Sequence, residues 1–114
     1  MANTFKSETD TAVGTGGSTV YTCPAATQTT AIGLTIANIV TSQIEVDVEL
    51  DASGRTSGAE DSVYLIKNAP VPVGSSLVVI GGEQKVVLEP GDAIVVTSNT
   101  ASSADVALSI LEIS

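Results

Sequence analysis

Ile44-Glu45-Val46-Asp47-Val48-Glu49-Leu50-Asp51 alternates an aliphatic residue with a carboxylate over eight positions. Successive side chains leave a strand on opposite sides. The segment therefore places Ile44, Val46, Val48 and Leu50 on one face and Glu45, Asp47, Glu49 and Asp51 on the other. A helix would scatter those four aliphatics around its axis. A strand that is dry on one side and wet on the other belongs in an antiparallel sheet with one solvated face.

The rest of the chain follows the same period. Strands are expected at 19–23, 29–39, 62–68, 76–80, 84–88, 93–98 and 105–113, about eight in all with 44–51. The connections hold about 4–10 residues, too few for the crossover helices that a parallel sheet requires. The predicted fold class is all-β: an antiparallel β-sandwich, jelly-roll or Ig-like, over 19–114. Gly81-Gly82 between two aliphatic runs predicts a hairpin. Glu89-Pro90-Gly91-Asp92 predicts a type II turn, and Gly33 in mid-strand predicts a bulge. Near the C-terminus Val106, Leu108 and Ile110 alternate before Leu111 and Ile113 shift the phase, which predicts another bulge.

Residues 1–18 are poor in large apolar side chains and rich in Thr, Gly and Ser. They read as an extended N-terminal arm that needs something to hold it, such as a neighbouring subunit. Phe5, the lone Phe of the chain, is the natural anchor of that arm. Arg55, the single Arg, sits at the tip of a polar loop over 52–60 and is a second candidate contact. Asn68–Gly74 holds Pro70, Val71 and Pro72 in a stiff, nearly apolar loop. Such a loop loses little entropy on binding, so these three residues complete the candidate partner interface.

Charge and chemistry narrow the function. Four basic residues against thirteen acidic ones give a net charge of −9, a surface that repels nucleic acid and anionic lipid. No apolar run approaches membrane-spanning length, and without a basic n-region followed by an apolar h-region no signal peptide is expected. There is no His, and the one cysteine, Cys23, excludes an internal disulfide and reads as a small buried hydrophobe. A nucleophile needs a base that the chain lacks, so no catalytic residue is expected. Gly14-Thr15-Gly16-Gly17 precedes a strand and lacks the P-loop Lys, so no cofactor is expected. Same-face carboxylates of Glu45–Asp51 stand about 6.8 Å apart, too wide for one Ca²⁺ at about 2.3–2.6 Å to gather three of them directly. No metal site is expected.

Tyr64-Leu65-Ile66-Lys67-Asn68-Ala69-Pro70-Val71-Pro72-Val73-Gly74-Ser75-Ser76-Leu77 resembles a segment of small virion structural proteins of tailed bacteriophages, marine phages especially. So do Val87-Leu88-Glu89-Pro90-Gly91-Asp92, Val95-Val96-Thr97-Ser98, Tyr21-Thr22-Cys23-Pro24 and Ile36-Ala37-Asn38-Ile39. The resemblance covers roughly residues 19–114, and its motifs are turns and strands rather than an active site. It implies a non-enzymatic capsid decoration (cement) protein, made in the host cytoplasm and bound to the capsid surface of the virion. The implied partner is the major capsid protein, with self-association into a homo-oligomer such as a trimer. A neck, tail or fibre-base component is the alternative. A glycan-binding module is disfavoured by the scarcity of exposed rings expected from two Tyr, one Phe and no Trp.

Overall fold

The computed structural model describes residues 3–114. Nine strands follow one another: β1 (Asn3–Val13), β2 (Ser18–Thr22), β3 (Gln28–Asn38), β4 (Ile44–Asp51), β5 (Val63–Val71), β6 (Ser76–Ile80), β7 (Val86–Leu88), β8 (Ala93–Ser98) and β9 (Ala104–Ile113). They form two antiparallel sheets. One has the order β1-β9-β3-β6, with β7 also paired to β3; the other has the order β2-β8-β4-β5. The chain is an all-β sandwich, as expected.

The predicted 80–86 hairpin does not form. β6 pairs with the C-terminal half of β3 through Leu34↔Ile80 to Ala37↔Ser76. β7 pairs with its N-terminal half through Thr29↔Leu88 to Ala31↔Val86. The two lie end to end along one edge, and Gly81–Lys85 is a short excursion closed by the Gly81↔Gln84 bridge. Both aliphatic runs gain more by pairing with the long β3, whose inward residues Ala31, Leu34 and Ile36 are fully buried, than by pairing with each other. Counted as one broken strand, β6 and β7 leave eight strands in two sheets of four. Only the β4–β5 connection then joins neighbours within a sheet; every other connection crosses between sheets. That order is a jelly roll, which settles the choice left open by the sequence.

The core is aliphatic. Leu34, Ile36, Leu108 and Ile110 of one sheet face Ile44, Val46, Val48, Ile94 and Val96 of the other, all fully buried. The alternation of β4 is realised as read: its aliphatics point inward and its carboxylates outward. The expected bulge at Gly33 is present, with Ile32 as the extra residue between Ala31↔Ile110 and Gly33↔Ser109. The second expected bulge is absent. β9 runs unbroken from Ala104 to Ile113, and Leu111 keeps the outward phase of Ala107 and Ser109. The Glu89–Asp92 turn closes through Asp92 N–H to Glu89 O at 2.9 Å, with Gly91 at φ 94° as a type II turn requires.

Two expectations about flexible segments are corrected. Residues 3–13, expected in an extended arm held by something such as a neighbouring subunit, are an edge strand of this chain's own sheet, paired with β9 from Asn3↔Ile113 to Val13↔Ala104. Residues 14–17 of that arm turn into β2, which begins at Ser18, and Met1 and Ala2 lie outside the described residues. Polar, Thr-rich sequence suits an edge strand because only Val13 of β1 is buried, so little apolar content is needed. The expected loop at Asn68–Gly74 shrinks to Pro72–Ser75. Ala69, Pro70 and Val71 continue β5 opposite Val46, Glu45 and Ile44. Pro70 is tolerated because β5 is an edge strand and the missing N–H faces away from the ladder.

Val71 is 0% exposed and belongs to the core rather than to a contact loop. Val71→Ala is expected to cost about 2 kcal/mol through lost burial and the cavity left behind. Pro72→Ala, at an exposed position, is expected to stay within about 0.5 kcal/mol. Urea unfolding of the two variants checks both.

Candidate interaction surface

The five residues singled out from sequence do not converge. Phe5 stands 74% exposed on the outer face of β1, where it anchors nothing within the chain. Pro70 and Pro72 are exposed at the far edge of the opposite sheet, flanking the buried Val71. Arg55 is not a free tip. Its Nε and Nη2 donate to Asp92 Oδ1 and Oδ2 at 2.9 and 2.8 Å, and Nη1 lies 3.1 Å from Glu89 Oε2.

Asp92 is fully buried, and the loops around it are built to hold it. The Glu89 N–H donates to its Oδ2 at 3.0 Å. Its backbone carbonyl accepts from Cys23 N–H at 2.8 Å, and Gly91 N–H donates back to Cys23 O at 3.0 Å. Thr56 N–H reaches Pro90 O at 2.9 Å. Gly91 must be glycine: its φ is left-handed, and a Cβ there would collide with the Gly54 carbonyl oxygen. Burial pushes the Asp92 carboxyl up, but the Arg55 fork and the Glu89 N–H outweigh it and hold the group below the usual carboxylate range. The only guanidinium in the chain is thus consumed inside the fold.

The other reactive groups are also structural. Cys23 is 2% exposed, with Sγ 3.3 Å from both Thr27 O and Thr29 Oγ1, and burial pushes its thiol up. Tyr21 donates to Glu112 and meets Thr29 Oγ1 at 2.9 Å; burial and the Glu112 carboxylate drive its hydroxyl well above the ordinary phenol range. Every buried side-chain nitrogen and oxygen among the described residues has a hydrogen-bond partner. Among the same residues no three His, Cys, Asp or Glu side chains converge as a metal would require.

The surface is divided. On the β2-β8-β4-β5 sheet the carboxylates of β4 look outward. Asp47 accepts from Lys67 Nζ at 3.1 Å and from Asn68 N–H at 2.7 Å, and Lys67 also stands 4.4 Å from the Tyr64 ring centre. Asp51 accepts from Ser53 and Ser62, which lowers its carboxyl pKa. Among the described residues Glu45 and Glu49 have no cation paired with them. This is an acidic face.

The outer face of the other sheet is its opposite. The registers align cross-strand rows: Phe5, Leu111, Thr30 and Val87; then Ser7, Ser109 and Gly33; then Thr9, Ala107, Thr35 and Val78. Val78 and Val87 are each 64% exposed. Asp105, at one end, is the only ionisable side chain in outward register among the described residues of these strands, and it accepts from Thr11 Oγ1 at 2.6 Å and Ala12 N–H at 3.1 Å. Sequence reasoning missed this face because its members are spread over five strands. The one local signal was the apolar Leu111 and Ile113 continuing past the core run.

Removing the buried carboxylate is expected to destabilise. Asp92→Ala should cost about 2–4 kcal/mol, the loss of charge-assisted bonds inside a dry site. Because folding lowers the Asp92 pKa, its contribution is complete at neutral pH. It is lost as pH falls through the ordinary carboxylate value of about 3.9 and below. Thermal melts from pH 7 to pH 3 should therefore fall more steeply for the native chain than for Asp92→Asn. The Cys23 thiol should be inert to an aromatic disulfide reagent in the folded protein and should react fully in denaturant.

No protein-family model matches the chain, and no curated protein matches it. Among solved structures, the chain is similar to one described in work on Bacillus endospore appendages, a novel family of disulfide-linked pili. The TM-score is 0.51 at 13% identity, over 99% of this chain and 87% of that one. At that identity the likeness is one of fold: two proteins with almost unrelated sequences share this β-sandwich.

Proposed function

We propose that this chain is a non-enzymatic structural protein that works by surface association in a large assembly. The specific reading is a capsid decoration protein that binds the outer surface of a phage head, contacts the major capsid protein and self-associates. The observation that carries it is the division of the surface into an acidic sheet face and a nearly uncharged one, while Arg55, Cys23 and Tyr21 are occupied within the fold. An acidic face suits a basic patch on a shell protein or an outward, solvated role; the uncharged face suits protein contact. A protein that binds only the assembled lattice stabilises it by linkage, without any chemistry of its own.

A filament subunit is the second reading, supported by the fold shared with the endospore appendage protein. The disulfide linkage named for those pili has no ready counterpart here, because the single cysteine is buried.

Copy number in purified particles separates the readings. Hundreds of copies per head support decoration. About a dozen or fewer, the stoichiometry of a ring-shaped collar, point to a neck, tail or fibre-base position. Absence from particles, with fibres formed by the purified chain in electron micrographs, favours the filament.

A further inference from the structure

We infer that the outer face of the β1-β9-β3-β6/β7 sheet is a self-complementary interface for a second copy of this chain, joined face to face about a two-fold axis. This sharpens the self-association in the reading above. The dimer requires no particle, so its failure would leave the copy-number test standing.

The face is shaped for its own copy. The row of Phe5, Leu111, Thr30 and Val87 is bulky, and the row of Thr9, Ala107, Thr35 and Val78 is smaller, with Ser7, Ser109, Gly33 and the bulged Ile32 between them. The smaller row borders a shallow depression of about 430 Å³ lined by Thr9, Thr35, Ala37 and Ala107, with Asp10 and Asp105 at its outer end. Consider an in-plane two-fold axis along the middle row. It stacks each strand on its own copy, running in the opposite direction. It places Phe5 over the partner's Thr9, Leu111 over the partner's Ala107, and Val87 over the partner's Val78. Bulky meets small at two positions, and each copy repeats the match, as a two-fold interface demands. Twisted sheets pack this way at about −30° and about 10 Å apart, so the rows need only cross at that angle.

Charge selects the same occupant. A chain of net charge −9 repels itself across almost any surface. Here Asp105 and, beside the same depression, Asp10 intrude at one end, and the axis carries both to the opposite end in the partner. The acidic stripes of the two copies end up three sheet spacings apart, about 30 Å, well beyond the screening length of about 8–10 Å at ordinary ionic strength. A basic partner finds no row of carboxylates on this face and is better served by the β4 side. Size also fits. Four strands about 4.8 Å apart and about ten residues long give roughly 600 Å² per copy. The total of about 1,200 Å² is the lower end of specific interfaces, so a micromolar dissociation constant is expected.

Sedimentation equilibrium of the full chain at about 100 μM is the test. The expected result is twice the 11.4 kDa chain mass. Phe5→Glu and Val78→Glu, both at positions more than half exposed, should weaken the dimer at least about tenfold while keeping the native circular dichroism spectrum. Tyr64→Glu, on the acidic face, should leave it intact. On dilution of the native chain, amide shift changes should be confined to β1, β9, β3 and β6, a readout that needs no variant. A monomeric mass overturns the inference and leaves the face to a different protein. So do a trimeric mass, a dimer that survives both glutamates, a dimer broken by Tyr64→Glu, or dilution shifts centred on β4 and β5.

Discussion

A buried carboxylate gripped by the only arginine closes one end of this sandwich. In a jelly roll almost every connection crosses from one sheet to the other, so the loops carry the link between layers. Asp92 and its turn are tied to the 52–60 loop by the Arg55 fork and by Thr56 N–H to Pro90 O. They are tied to the end of β2 by the paired Cys23 backbone bonds. Loops after three different strands are thereby held in one place. The charge is tolerated in the interior because fork, backbone N–H and geometry act together; removing any one leaves an ion without solvent.

That closure leaves the two outer faces free to differ. The inner residues of both sheets are mostly Val, Ile, Leu and Ala, interchangeable in kind, and aliphatic packing makes little distinction between layers. The outer residues make all of it. On the β4 side carboxylates alternate with the core aliphatics, and one lysine answers them. On the β3 side Thr, Ser, Ala and Gly are interspersed with Phe5, Leu111, Val78 and Val87. A net charge of −9 is thus not a uniform coat. Repulsion between copies is strong in most orientations and weak in one, and that asymmetry can choose an assembly geometry with little help from specific bonds.

A single period-2 pattern was enough to read most of the architecture from sequence. β4 falls on Ile44–Asp51 and β8 on Ala93–Ser98 as expected, because local alternation and turn chemistry agree there. The Glu89–Asp92 turn and the Gly33 bulge were legible for the same reason: each is a demand that a few adjacent residues place on their own backbone.

Which strand pairs with which was not local, and tertiary structure alone decided it. β6 and β7 look like a hairpin by themselves, yet each saves more by lying on β3. β1 looks too polar to be ordered, yet β9 offers it an unpaired ladder. Val71 looks like part of a loop until β4 takes it into the core, and Arg55 looks free until folding brings Asp92 within reach across 37 positions of chain. The uncharged face belongs to the same class. Its rows join residues from β1, β3, β6, β7 and β9, and no window of sequence contains one. Alternation tells each side chain which way to point; only the closing of two sheets tells it whom it stands beside.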